Sequence, residues 1–134
     1  MEMNGSYRAL FDILRADSRC DICQSVVDPD ELQEFIRAEN IGQGEAQSIL
    51  ACRDHGLFFV CDDRRARLVA ERIIGQDKVI GTIGILCSLL AAGALDLADV
   101  LLGVRKIIDA GGFVPAMDDA YWDRCQAGEA RLKQ

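Results

Sequence analysis

An uninterrupted apolar run, Leu57-Phe58-Phe59-Val60-Cys61, ends abruptly in two carboxylates, Asp62 and Asp63. Three arginines follow within four positions, Arg64, Arg65 and Arg67. After them the apolar spacing changes to one that suits a helix. A strand that is apolar on both faces and opens into a helix is the pattern of a buried parallel strand, because helices cover both faces of such a sheet. In open α/β sheets, ligand chemistry gathers outside the carboxyl ends of these strands. The candidate site is therefore acidic, and it lies where this run stops.

The flanking sequence alternates in the same way. Tyr7, Leu10, Phe11 and Leu14 mark one face of a helix over residues 6–16, and the partly β-branched stretch from Ile22 to Val27 reads as a strand. Asp28-Pro29 predicts a helix start, with Asp28 as N-cap, Pro29 in the first position, and Leu32, Phe35 and Ile36 inward. Residues 40–44 read as a loop, and a helix from about Glu45 to His55 follows, closed by Gly56. Its inward residues are Ala46, Ile49 and Leu50, joined by Cys52 or Ala51. The helix after the acids runs from about Arg64 to Ile73 on Leu68, Val69 and Ile73. Lys78 to Ile80 reads as a short strand, and Thr82 as the N-cap of a helix to Ala92. A helix from Leu97 to Ala110 carries Val100, Leu101, Val104, Ile107 and Ile108, and Gly111-Gly112 ends it. Phe113-Val114-Pro115 reads as an extended edge, and residues 117–134 as a terminal helix. The expected class is α/β with a mainly parallel sheet, although only three or four strands can be counted.

At 134 residues the chain is expected to be one domain. The most apolar region, Val79 to Leu101, is interrupted by Gly81, Gly84, Gly93, Asp96 and Asp99, so no membrane span is expected. A net charge of −7 repels bulk nucleic acid unless a basic patch or a bound cation reverses the field locally. Six cysteines and a polar start, without the pattern of a secretory signal, predict reduced thiols in a cytoplasmic protein.

Taken in order, Gly42-x-Gly44-Glu45-Ala46, the strand Leu57 to Cys61, Asp62-Asp63-Arg64-Arg65-Ala66-Arg67 and Val79-Ile80-Gly81-Thr82-x-Gly84-x-Leu86 resemble the second half of a PIN-like domain. The subgroup they look most like is the toxin nucleases of bacterial toxin–antitoxin pairs. The resemblance spans about residues 41–115, with residues 1–40 divergent and 116–134 a terminal helix. It implies a Rossmann-like sheet flanked by helices and a ribonuclease that uses Mg²⁺ or Mn²⁺. It places Glu45 and Asp63 as catalytic metal ligands, with Asp62 beside them, and Arg64, Arg65 and Arg67 on RNA phosphates. Mg²⁺ favours carboxylate and phosphate oxygens and retains several waters, which suits that set. The departure is at the start, where the expected strand ending in an acid is missing, so the domain reads as truncated at its N-terminus. The first strand's place could fall to Ile22–Val27, with Asp28 as the acid. A truncated domain of this kind is expected to be weak or inactive alone and to associate with a second copy or with a partner chain, an antitoxin being one candidate.

Simpler readings stand beside these. Asp62, Asp63 and Glu45 are what helix N-termini select in any protein. The arginines suit a solvated helix face paired with nearby acids. Cys20-x-x-Cys23 with Cys52-x-x-His55 mimics a Zn²⁺ set, but Cys52 sits on an inward helical face and reads as a buried thiol. Cys61 and Cys87 read as core residues and Cys125 as partly exposed. A non-catalytic oligomerisation or partner-binding module, reusing the remaining half-sheet, is the alternative to an enzyme.

Overall fold

The computed structural model describes residues 12–18, 20–115 and 117–127. Residues 12–16 are helical, and Leu14 there is exposed rather than packed. The rest of the expected first helix, with Tyr7, Leu10 and Phe11, lies outside the described residues, as does the end of the expected terminal helix. Eight elements follow: α1 (Pro29–Glu39), α2 (Gln43–His55), β1 (Phe59–Val60), α3 (Arg64–Ile74), β2 (Val79–Ile80), α4 (Thr82–Ala91), α5 (Leu97–Asp109) and α6 (Asp119–Gln126). A 3₁₀ turn, Gln76–Lys78, leads into β2.

Local chemistry accounts for most of the helix ends. Asp28 Oδ1 accepts from the backbone N–H groups of Asp30 and Glu31 at 2.9 Å, with Pro29 in the first turn. Gly56 closes α2 at φ 66°, a left-handed conformation that costs glycine little. Gly75 sits at φ 95° between α3 and the 3₁₀ turn, and a Cβ there would meet Asp77 Oδ1 at 2.8 Å. Asp96 caps α5 by accepting from Asp99 N at 2.8 Å, and Asp118 caps α6 by accepting from Tyr121 N at 2.8 Å.

Helix and strand alternate as expected through the middle of the chain, but among the described residues the sheet has only two strands. They are parallel, with Phe59 opposite Val79 and Val60 opposite Ile80. The stretch from Ile22 to Val27 forms no strand, and Val26 is 95% exposed. Phe113-Val114-Pro115 is not a strand either, and Phe113 points into solvent.

Two apolar clusters hold the chain. The first joins α1, α2, β1 and α3 through Leu32, Ile49, Leu50, Phe59, Ala66 and Val69 among others. The second joins α4, α5 and α6 through Ile83, Cys87, Leu90, Val100, Trp122 and Cys125. Small residues let α3 lie close: Ala66, Val69 and Ala70 are buried, whereas Leu68 and Ile73, expected inward, are exposed. In α5 only Val100 is fully buried, and Leu101 and Ile108 face out. The expected strand Leu57–Cys61 forms only at Phe59–Val60 and is less buried than its composition implies. Phe59 is 4% exposed, but Phe58 is 65% and Val60 53% exposed, so this face of β1 is largely open among the described residues, with Ile80 beside Val60 half-buried.

Candidate functional site

The segment after β1 is fixed by three side chains. Arg67 Nη1 donates to the carbonyl oxygens of Cys61 at 3.1 Å and Asp62 at 2.8 Å. Asp63 Oδ1 accepts from Ala66 N at 2.8 Å and so caps α3. Asp62 reaches the next helix instead. Its Oδ1 accepts from Thr82 N at 2.8 Å and its Oδ2 from Thr82 Oγ1 at 2.6 Å. Thr82 is thus not the N-cap expected of it. Gly81 holds that position without a side chain to offer, Thr82 is the first helical residue, and the cap is supplied by a carboxylate twenty positions earlier.

Glu45 lies in the first turn of α2, two residues inside a helix that begins earlier than its sequence pattern implies, and Glu45 Oε2 accepts from Gly42 N at 3.0 Å. Glu45 and Asp63 both lie within electrostatic range of the Cys61 thiol. Burial pushes that thiol above its ordinary pKa, and the two carboxylates push it further up, against the Asp63 backbone hydrogen bond and Arg67. Negative charges placed around a thiol disfavour a thiolate, so Cys61 is not set up as a nucleophile.

The arginines separate into distinct roles. Arg65 donates from Nε and Nη2 to Glu39 O, at 3.3 and 3.1 Å, and thereby caps the C-terminus of α1. Arg72 pairs with the Glu39 carboxylate. Arg67 is committed to the turn it stabilises. Arg64 stands exposed at the start of α3 without a hydrogen bond or ion pair among the described residues. Elsewhere, Arg53 links Glu31 of α1, at 2.6 Å, with Asp54, at 2.8 Å, and the Asp54 carboxyl is held below its usual range by its hydrogen bond to Arg53.

A divalent cation such as Mg²⁺ needs several carboxylate oxygens free to face it. Asp62 has both oxygens on Thr82, and Glu45 and Asp63 each have one oxygen in a helix cap. One oxygen on each of the last two is left for other work. Among the described residues, no three of the types His, Cys, Asp and Glu gather closely enough to hold a metal ion. These carboxylates do not by themselves fit the octahedral oxygen cage of Mg²⁺. The thiols supply no set of three zinc ligands among the described residues either: Cys20 and Cys23 are exposed, while Cys52 is buried with Sγ on Phe58 O at 3.5 Å. Burial raises the Cys52 pKa, with a further push from Cys23.

Two cysteines depart from the expectation of reduced thiols. Cys87 of α4 and Cys125 of α6 form a disulfide, Cα–Cα 5.3 Å, and Cys125 is fully buried rather than partly exposed. Neither this pair nor the Asp62–Thr82 pair has a signal in sequence, because each joins residues far apart in the chain. A shallow cavity of about 450 Å³ beside α6 is lined by Met117, Asp118, Tyr121 and Arg124. No helix among the described residues is long and apolar enough to cross a membrane.

Compared with known families, residues 12–117 match the model of a PIN domain. No curated protein and no solved structure matches the chain.

Proposed function

The chain belongs to the PIN-domain family, and we propose that it is a reduced PIN domain, weak or inactive alone, whose largely open sheet face is covered by a second copy of itself. The observation that carries this reading is the exposure of Phe58 and Val60 on a two-stranded parallel sheet. Parallel strands are stable where both faces are covered, and an exposed apolar face invites association. A second copy suits the patch: Leu57, Phe58 and Val60 carry no charge, so a two-fold contact between like patches avoids the repulsion expected elsewhere on a chain of net charge −7.

The resemblance to toxin nucleases suggests Mg²⁺- or Mn²⁺-dependent cutting of RNA. Glu45 and Asp63, both within electrostatic range of Cys61, would be this chain's share of the acidic site, and Arg64 its free cation for a phosphate. The remaining ligands would have to come from another polypeptide, an antitoxin-like protein being the alternative to a second copy. A non-catalytic oligomerisation module is the second reading, favoured by the commitment of Asp62, Arg65 and Arg67 to contacts within the chain.

Light scattering at micromolar concentration tests the association. A mass above the 14.7 kDa monomer is expected, returning to the monomer in Phe58→Asp/Val60→Asp. A monomeric unmodified chain refutes the second copy as occupant. Calorimetric titration of Mn²⁺ and cleavage of single-stranded RNA, beside Glu45→Ala/Asp63→Ala, then separate the two readings. Metal binding and cleavage lost in the double variant support a nuclease half-site, and their absence from both proteins supports the module.

A further inference from the structure

We propose that the Cys87–Cys125 disulfide is a redox latch that pins the terminal helix α6 onto α4 and releases it on reduction by a dithiol. The bond closes a loop between residues 38 apart, and that loop contains all of α5. It ties α4, α5 and α6 into one unit whose cluster shares no buried residue with the cluster of α1, α2, β1 and α3. α6 has eight residues, too few for a helix to persist in water without docking, and its only fully enclosed side chains are Trp122 and Cys125. Its attachment therefore rests on the cross-link, one indole and the half-buried Tyr121 ring packed on the same cluster. α4 is anchored separately, through the Asp62 carboxylate on Thr82. The terminal helix can consequently lift without dissolving the first cluster, uncovering Ile83 and Leu90 on α4.

The chemistry is ordinary exchange. A thiolate of the dithiol attacks one sulfur of the bond, forming a mixed disulfide and releasing the other protein sulfur as a thiolate. The second thiolate of the reagent then displaces the remaining protein sulfur. The reagent gives up two electrons to the protein sulfurs and ends as its own disulfide, and its protons settle on Cys87 and Cys125. Both sulfurs are buried, so attack waits for α6 to open, and reduction and release are coupled.

Trp122 is the only tryptophan and lies 3% exposed in this cluster, so it reports the latch. The test uses the full chain carrying Cys20→Ser/Cys23→Ser, which removes the exposed thiol pair. Thiols titrated in denaturant should number two before reduction, from Cys52 and Cys61, and four after dithiothreitol. In native buffer, reduction should shift the Trp122 emission maximum to the red and open residues 119–127 to proteolysis, both reversing on reoxidation. The wavelength is the readout, because removing a nearby disulfide alters intensity by itself. Cys125→Ser in the same background should give the red-shifted spectrum with or without reductant. Four thiols in the air-oxidised protein would overturn the proposal. So would reduction that leaves emission wavelength and cleavage unchanged, and this result is readable even if Cys125→Ser does not fold.

Discussion

Asp62→Ala should destabilise the protein at a helix twenty positions further along the chain: α4, whose own N-cap, Gly81, has no side chain to contribute. The wild-type carboxylate satisfies the Thr82 N–H at 2.8 Å and the Thr82 hydroxyl at 2.6 Å. Loss of a good N-cap costs about 0.5–2 kcal/mol. Asp62 is exposed, so water re-solvates part of what is released, and the expected loss is about 1 kcal/mol. Thr82→Val removes only the hydroxyl bond and should cost about 0.5–1 kcal/mol. Since both changes act on one pair, the double variant should fall short of the sum by about 0.5 kcal/mol or more. Urea unfolding measures this: at a slope of about 2 kcal/mol/M, Asp62→Ala moves the midpoint by roughly 0.5 M with the slope unchanged. An unmoved midpoint, or strictly additive variants, would refute the cap.

Two further outcomes follow from burial. Leu50, 1% exposed in the first cluster, should lose about 2–5 kcal/mol on Leu50→Ala, read as a fall in the urea midpoint. Cys52 and Cys61 have raised folded pKa values, so the stability that their neutral thiols contribute is complete below the unfolded cysteine pKa and is lost as pH rises through the folded values. Iodoacetamide at mildly alkaline pH should therefore label Cys20 and Cys23 first, by peptide mass analysis, and labelling of Cys61 ahead of them would contradict its assigned environment.

The site was legible in sequence as far as chain order carries information. Apolar-run-then-acid marked the end of β1, and the same pattern located Asp62 and Asp63 at a helix start. The capping of α3 by Asp63 was one of the readings that pattern allowed. The identical chemistry misassigned Thr82, because a Thr after Gly at a helix start looks like a self-sufficient cap. Periodicity points Leu68, Ile73, Leu101 and Ile108 inward, yet they are exposed, because it defines an apolar stripe but not how much of it a neighbour covers.

By itself the sequence determined the helices and most of their ends. Asp28 with Pro29, Gly56, and Gly111 after α5 act within a few residues, so the backbone groups they satisfy or release are already beside them. It also carried the order of motifs that places the chain in the PIN-domain family. Only the tertiary structure decided that β1 has one largely open face, that Asp62 serves α4, and that Cys87 meets Cys125. Each of these depends on which distant segment arrives beside a residue, and a local pattern of side chains does not encode that arrival.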